Sequence, residues 1–150
     1  MNSRLIRAPL VVLDTNVVFD WLLFRNPECA AIESALVSRQ IQWVGTAAMR
    51  CELTHVLARG HLDSWNPDSR MLLSAWEQNC IEVPAPIGNP AVYPRCTDSD
   101  DQKFIDLAIA YNAQWLLSRD RAILKLARRL RSSGVEVMKP QTWAAPIRAD

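Results

Sequence analysis

Four acidic side chains follow or flank apolar segments, at positions that a folded chain can bring together. Asp14 ends one strand-like apolar run, and Asp120 comes just after another. Glu52 lies about one turn into a predicted helix, and Asp101 opens a helical stretch. Carboxylates gathered at one place repel one another unless a cation joins them, and hard divalent cations such as Mg²⁺ prefer oxygen ligands. The pattern therefore predicts a metal-dependent phosphodiester hydrolase.

Each of these acids also has a purely structural explanation. Aspartates commonly cap helices and form turns, so Asp14 and Asp120 can each serve in that way. Glu52 lies beside an apolar stripe of its predicted helix, where a carboxylate needs a partner. Arg50 or Arg59 is near enough in the sequence to provide that partner as a salt bridge. One acid alone is weak evidence of a site, and it is their combination that favours a metal centre.

A cluster of aspartates marks the start of the helix predicted after residue 98. Two of Asp98, Asp100 and Asp101 can act merely as caps, because carboxylates at a helix N-terminus interact favourably with the helix dipole. Ser99 and Gln102 have the spacing of a capping box. Asp101 extends the buried face of the predicted helix. It is therefore the first choice as a metal ligand, and Asp98 is the second.

Strands alternate with helices along the chain, which predicts a mostly parallel sheet with helices on both faces. Residues just past the strand ends then share one edge, where ligands bind. Prolines between residues 84 and 94 predict an extended loop inside a single domain of residues 1–150. The predicted strands are 9–13, 41–44, 81–83, 114–117 and 135–138, and the predicted helices are 17–23, 28–38, 47–59, 63–79, one from 99, and 120–130.

Composition narrows the class of protein. The chain has 150 residues and a net charge of +1, which fits one globular domain. Its four cysteines form no Cys-x-x-Cys pair, so we expect no structural zinc site and a reduced, cytoplasmic protein. We find neither a secretory leader nor an apolar run of about 20 residues, and expect no membrane partner. The four glycines lack the spacing of a phosphate-binding loop.

A basic segment follows Asp120 directly. Its cations form either a solvated helix face or a track for substrate phosphates that leads to the acids, and the sequence leaves both explanations open. Asn16 and Ser118 are polar neighbours of the acids that can hold a metal-bound water or orient a carboxylate. The cations that we assign to this phosphate track are Arg119, Arg121, Lys125, Arg128 and Arg129.

Four segments resemble the motifs of the PIN domain family, named after the PilT N-terminus. The resemblance runs from about residue 10 to residue 138, which is nearly the whole chain. The third segment is similar to that of a PIN subgroup described as the toxin components of bacterial toxin–antitoxin systems. The four segments are 11–17 (VVLDTNV), 52–57 (ELTHVL), 98–108 (DSDDQKFIDLA) and 116–120 (LLSRD).

The resemblance implies an α/β/α sandwich around a mostly parallel sheet of four to five strands. It implies a ribonuclease that depends on Mg²⁺ or Mn²⁺ and takes RNA as substrate, so we expect the cations of the phosphate track to bind RNA. The subgroup implies an antitoxin protein as partner. The residues that match the family's metal-binding and catalytic acids are Asp14, Glu52, Asp101 and Asp120.

Two positions depart from the family pattern. Ser118 stands where a threonine is common, which keeps the hydroxyl group. Ala122 stands where a further aspartate is often found, so one outer acid is missing. Neither change removes a main ligand, but the number of bound metals stays open.

Two other classes of protein compete with the nuclease interpretation. A phosphoacceptor signalling domain also has clustered acids, but it needs a lysine past a late strand, where this chain has Ser118, Arg119 and Asp120. A catalytically silent binding or oligomerisation module is the second rival. The chain has six tryptophans, which fit either a homodimer surface or the core. Three of them, Trp21, Trp65 and Trp76, lie in predicted helices.

Overall fold

A parallel β-sheet forms the centre of the molecule, of which a computed structural model describes residues 8–87 and 93–146. Its strands are β1 (Leu10–Leu13), β2 (Gln42–Gly45), β3 (Cys80–Glu82), β4 (Trp115–Leu117) and β5 (Glu136–Met138). Within the described ranges the strand order is β3-β2-β1-β4-β5, and all neighbouring pairs are parallel. The predicted fold class is confirmed.

Helices flank the sheet, which gives the α/β/α arrangement. Short 3₁₀ turns at Pro27–Cys29, Asp63–Trp65, Ser99–Asp101 and Pro140–Thr142 join some of the elements. None of the helices in the described ranges has the length and apolar character to cross a membrane. The helices are α1 (Thr15–Leu22), α2 (Ala30–Val37), α3 (Ala47–Ala58), α4 (Ser69–Asn79), α5 (Gln102–Ala110), α6 (Arg121–Leu124) and α7 (Ala127–Arg131).

The core is built around β1, whose four residues are all buried. A continuous apolar strand is what a central parallel strand requires, because helices cover both of its faces. On β2, the buried Trp43 packs edge-to-face against Trp21 and Trp76, with ring centroids 5.7 and 4.8 Å apart. Gly45 is needed beside this group, since a Cβ there would lie 2.6 Å from the ring of Trp76.

The helix predicted over 63–79 is wrong in its first third. A 3₁₀ turn at Asp63–Trp65 is followed by Asn66 in a left-handed conformation, with φ at 48°. Pro67 explains the break, because a proline disfavours the helical conformation in the residue before it and has no N–H to donate. Asp68 then caps α4 by accepting hydrogen bonds from two backbone N–H groups.

The helix predicted over 120–130 is divided into α6 and α7. At the break, the N–H of Leu126 donates to the carbonyl of Ile123 at 2.9 Å, one residue closer than in an α-helix. The tighter turn accompanies the burial of Ile123, Leu126 and Leu130 against the sheet. The helical spacing of apolar residues continues through this break in the sequence. Side-chain packing against the sheet therefore decides where the helix is interrupted.

Candidate functional site

The candidate site lies at the edge of the sheet where β1 and β4 end. Chain order runs from β1 through β2 to β3 on one side, whereas β4 and β5 lie on the other side, so the strand order reverses between β1 and β4. Ligands of open parallel sheets bind at such a reversal, outside the carboxyl ends of the strands. Asp14 directly follows β1, and Ser118 directly follows β4.

A cleft of about 270 Å³ opens at this edge, and we call it the acidic cleft. It brings together side chains that are far apart in the sequence, including every predicted metal ligand. The predicted site residues that line it are Asp14, Asn16, Glu52, Asp98, Asp101 and Asp120, and its other lining residues are Thr15, Val56, Arg59, Asp100 and Phe104.

Asp14 is buried at the carboxyl end of β1, with 3% of its surface exposed. Its Oδ1 accepts a hydrogen bond from the N–H of Val17 at 2.9 Å and so caps α1. Its Oδ2 accepts one from the hydroxyl of Ser118, which in turn accepts from the N–H of Asp120 at 2.9 Å. The cap does not exclude a ligand role, because each carboxylate oxygen has a second lone pair.

Three aspartates come closest together in the cleft, and we call them the aspartate trio: Asp98, Asp101 and Asp120. One oxygen of each lies within 4.8 Å of one oxygen of the other two. Asp98 and Asp120 are oriented by helix capping, with N–H donors from Asp100 at 3.0 Å and Ala122 at 2.8 Å. The Oδ2 of Asp101 is buried and has no hydrogen-bond partner within the described ranges.

The capping box predicted for Ser99 and Gln102 is wrong. Asp98 caps this segment instead, and Gln102 is buried with its side chain turned to the preceding loop. There its amide oxygen accepts from the N–H of Cys96 at 2.7 Å, and its amide nitrogen donates to the carbonyl of Pro94 at 2.9 Å. Gln102 therefore anchors the loop that leads into the aspartate trio.

Crowding and burial raise the proton affinity of two of the acids. Burial is the main cause that raises the pKa of Asp14 to about 6, against the opposing hydrogen bonds from Ser118 and Val17. The pKa of Asp101 rises to about 7, first through burial and then through the neighbouring carboxyl groups of Asp120, Asp98 and Asp14. The cleft thus holds more negative charge than its own surroundings stabilise.

Glu52 reaches the same cleft from α3 but has its own partners. Its Oε2 accepts a hydrogen bond from the hydroxyl of Thr15, and its Oε1 lies 2.5 Å from the Nζ of Lys103. Arg50, which the sequence offered as a partner, pairs instead with Glu82 at 2.7 Å. The salt bridge considered for Glu52 exists, but its cation comes from the third acidic segment.

The donor set of the acidic cleft fits a hard divalent cation. All candidate ligand atoms of the aspartate trio are carboxylate oxygens, close enough to converge on one ion. The unpartnered buried oxygen of Asp101 is a further sign, since buried polar atoms otherwise find a hydrogen-bond partner. An ion there would favour the ionised carboxylates, whose charge burial and crowding otherwise disfavour.

The sequence model of the PIN domain family matches residues 10–122. This chain belongs to the PIN domain family. No curated protein sequence matches it. Among solved structures, its fold is similar to a chain in the crystal structure of VapBC2 from Rickettsia felis bound to a DNA fragment from their promoter. The TM-score is 0.58 at 14% sequence identity, covering 85% of this chain and 98% of that one.

Sequence reasoning missed Lys103 as a site residue of this PIN domain. Besides contacting Glu52, its ammonium donates to the carbonyl of Asp100 at 2.8 Å and lies 5.1 Å from the ring centroid of Phe104. A signal was present, because Lys103 is the only basic residue between positions 95 and 119. Thr15 was missed as well, although it stands directly beside Asp14.

Arg119 differs from the other cations assigned to RNA binding. Its Nε lies 2.5 Å from Asp20, and another guanidinium nitrogen lies 2.8 Å from Glu28. A third donates to Gln141 at 3.2 Å. We call these residues the Arg119 cluster, and because the guanidinium is engaged there, we remove Arg119 from the predicted RNA track. The other four cations, Arg121, Lys125, Arg128 and Arg129, are exposed on α6, α7 and the turn between them.

Proposed function

We propose that this PIN domain is a divalent-metal-dependent endoribonuclease that hydrolyses RNA phosphodiester bonds with Mg²⁺ or Mn²⁺. The observation that carries the proposal is the aspartate trio, whose oxygens lie within 4.8 Å of one another beside the buried Asp14. Membership of the PIN family supports it, because nucleases of this family resemble the chain in all four acidic motifs. The phosphoacceptor alternative is set aside, since the chain belongs to the PIN family.

Each acid has a role in the proposed reaction. Asp14, Glu52, Asp101 and Asp120 would hold the metal ion, with Asp98 as a further oxygen donor. When bound, such an ion neutralises phosphate charge and lowers the pKa of a water molecule that attacks phosphorus. Ser118 keeps Asp14 in place through its hydroxyl, in the way that outer hydrogen bonds orient metal ligands.

The rim of the acidic cleft and the basic surface beside it would bind the RNA. Asn16 is exposed at the rim, where its amide can bind a water molecule or a phosphate oxygen. Arg121 follows Asp120 directly and begins the surface formed with Lys125, Arg128 and Arg129. Cations of this kind bind phosphates without reading bases, so they provide affinity and leave sequence choice to other groups.

We further propose that the chain is the toxin of a bacterial toxin–antitoxin pair, acts in the cytoplasm and binds an antitoxin protein. The resemblance of the third acidic segment to the toxin subgroup supports this, as does the similarity of the fold to a chain of VapBC2. A homodimer is a further proposal, and Trp65 is its best candidate contact. Trp65 is 55% exposed, whereas Trp21 and Trp76 lie in the core.

The test is incubation with single-stranded RNA and with DNA of the same sequence, in Mg²⁺, in Mn²⁺ and in chelator. We expect RNA to be cut only with metal, and Asp120→Asn to cut it far more slowly while keeping its helix cap. Cleavage in chelator, or an Asp120→Asn rate equal to wild type, would contradict the proposal. Metal binding without cleavage of either substrate would favour the silent binding module.

A further inference from the structure

Lys103 gives Glu52 a property that the aspartate trio does not share. Its Nζ lies 2.5 Å from Glu52 and 2.8 Å from the carbonyl oxygen of Asp100. Its ammonium also lies over the ring of Phe104, which lines the acidic cleft. Within the described ranges, no ion pair joins a cation to any member of the trio. Glu52 is therefore the acid of the cleft whose charge is already neutralised.

The ion pair between Lys103 and Glu52 should weaken the binding of a metal ion to Glu52. Both oxygens of Glu52 are engaged, one by Lys103 and one by the hydroxyl of Thr15. Two cations on one carboxylate repel each other, so a divalent ion and the ammonium weaken each other's binding to Glu52. The side chains of Lys103 and Glu52 are 31% and 28% exposed. Solvent therefore weakens the pair and leaves Lys103 room to move away.

We propose that Lys103 is a displaceable counter-cation of the acidic cleft. It neutralises Glu52 in the metal-free protein, gives Glu52 up when a divalent ion binds, and then contacts a phosphate group of the substrate. The ammonium is a compact point charge that suits a phosphate oxygen. This inference rests on the proposed function, because it requires the cleft to bind a divalent ion.

A fixed brace would behave differently from a displaceable cation. If Lys103 only held Glu52 in position, its loss would weaken metal binding and hydrolysis together. A displaceable cation predicts opposite signs: its loss strengthens metal binding, because a competitor is gone, and slows cleavage, because a phosphate contact is gone. Opposite changes in metal affinity and in cleavage rate would therefore identify Lys103 as a displaceable cation.

The experiment is calorimetric titration of the metal-free protein with Mn²⁺ alone. We expect Lys103→Met to bind Mn²⁺ roughly two- to fivefold more tightly than wild type, because losing a partly exposed ion pair is worth up to about 1 kcal/mol. Arg59→Met is the matched control, since Arg59 lines the same cleft, loses the same charge and makes no ion pair within the described ranges. It should change the affinity by less than about twofold, because exposed charges are screened. Lys103→Arg should stay close to wild type.

The same variants are then compared in RNA cleavage at saturating Mn²⁺, where Lys103→Met should have a lower kcat. Unchanged or weaker Mn²⁺ binding by Lys103→Met would overturn the inference and make Lys103 a fixed brace. An equal gain in Arg59→Met would also overturn it, because the effect would then be one of total charge. If wild type and all variants fail to bind Mn²⁺, the proposed function fails instead.

Discussion

Two groups of acidic side chains meet at neighbouring positions of the chain, and only one of them is neutralised by a cation. In the Arg119 cluster, one guanidinium lies 2.5 Å from Asp20 and 2.8 Å from Glu28. The next residue, Asp120, belongs to the aspartate trio, whose oxygens lie within 4.8 Å of one another. Within the described ranges no ion pair neutralises the trio. The fold thus provides a cation where acids serve structure and provides none to the aspartate trio, where we propose that a metal binds.

The comparison teaches how to separate structural from functional acids. An acid with its own cation keeps its charge at little cost, whereas crowded acids without one hold protons more tightly. Asp101 shows the second behaviour, because burial and its carboxyl neighbours raise its pKa to about 7. Exchanges of single residues in the two clusters should therefore have different consequences.

The largest expected effect is on hydrolysis. Asp14→Asn should slow RNA cleavage by more than about 100-fold, since even groups that only orient a metal ligand contribute 10- to 100-fold. The amide keeps the shape of the side chain and can still cap α1. Asp20→Asn in the Arg119 cluster should cut RNA at nearly the wild-type rate. Cleavage rates with circular dichroism spectra check both, and a wild-type rate for folded Asp14→Asn would remove it from the site.

A smaller effect is expected on RNA affinity. Changing Lys125, Arg128 and Arg129 together to Gln should weaken binding of every RNA sequence by roughly tenfold and flatten its salt dependence, because fewer counterions are released. The measurement is the slope of log affinity against log salt for wild type and variant. Arg119→Gln is the matched control and should leave the slope unchanged. An unaltered slope in the triple variant would show a merely solvated face.

A loss of folding stability is expected when the Arg119 cluster is changed. Arg119→Met should lower the free energy of unfolding by roughly 1 kcal/mol, or about 2–4 °C in melting temperature, because two partly exposed ion pairs are lost. Thermal melts in chelator measure this loss. The stabilisation by Mn²⁺ should stay at its wild-type size, since Arg119 does not line the acidic cleft. A variant that lost its response to Mn²⁺ would show that the two clusters are coupled.

The smallest expected effect is on the pH dependence of metal-free stability. The folded pKa values of Asp14, about 6, and Asp101, about 7, lie above the usual 3.8. Between about pH 4 and 7 the folded protein then binds more protons than the unfolded chain, so stability falls as the pH rises. Asp101→Asn should reduce the resulting drop in melting temperature by about 1–2 °C, given its partial exposure.

The matched control for the pH dependence is Asp20→Asn, which lies in the Arg119 cluster. Its melting temperature should follow the wild-type dependence on pH. If Asp101→Asn and Asp20→Asn have the same slope as wild type, Asp101 does not hold its proton in the folded protein.

Much of the fold could be predicted from the sequence, because β1 is a continuous apolar run and ends at Asp14. The alternation of strands and helices then fixed which edge carries the acids. The breaks in the predicted helices could not be predicted in the same way. At Leu126 the helix period continues, and only packing against the sheet decides the turn.

Within the site, pairing was the part that the sequence did not reveal. Arg119 and Asp120 are adjacent, and neighbouring residues that leave a strand point to opposite sides, so either could have faced the cleft. Lys103 lies 51 residues from Glu52, and their contact depends on how α3 and α5 meet in space. The sequence also does not decide between Asp98 and Asp101 as the stronger ligand, and the structure places both in the trio.

The most direct test of the central claim is a set of melting curves for wild type and Asp101→Asn near pH 7, each in chelator and in millimolar Mn²⁺. Asp101 makes no capping hydrogen bond, so its loss should not destabilise the helix that follows. We predict that Asp101→Asn melts at or above the wild-type temperature in chelator, because one repelling charge is gone. We also predict a smaller stabilisation by Mn²⁺, since binding to the folded state raises stability by mass action. Melting well below wild type in chelator with the full Mn²⁺ shift retained would contradict the account, and Asp98 would replace Asp101 as the ligand.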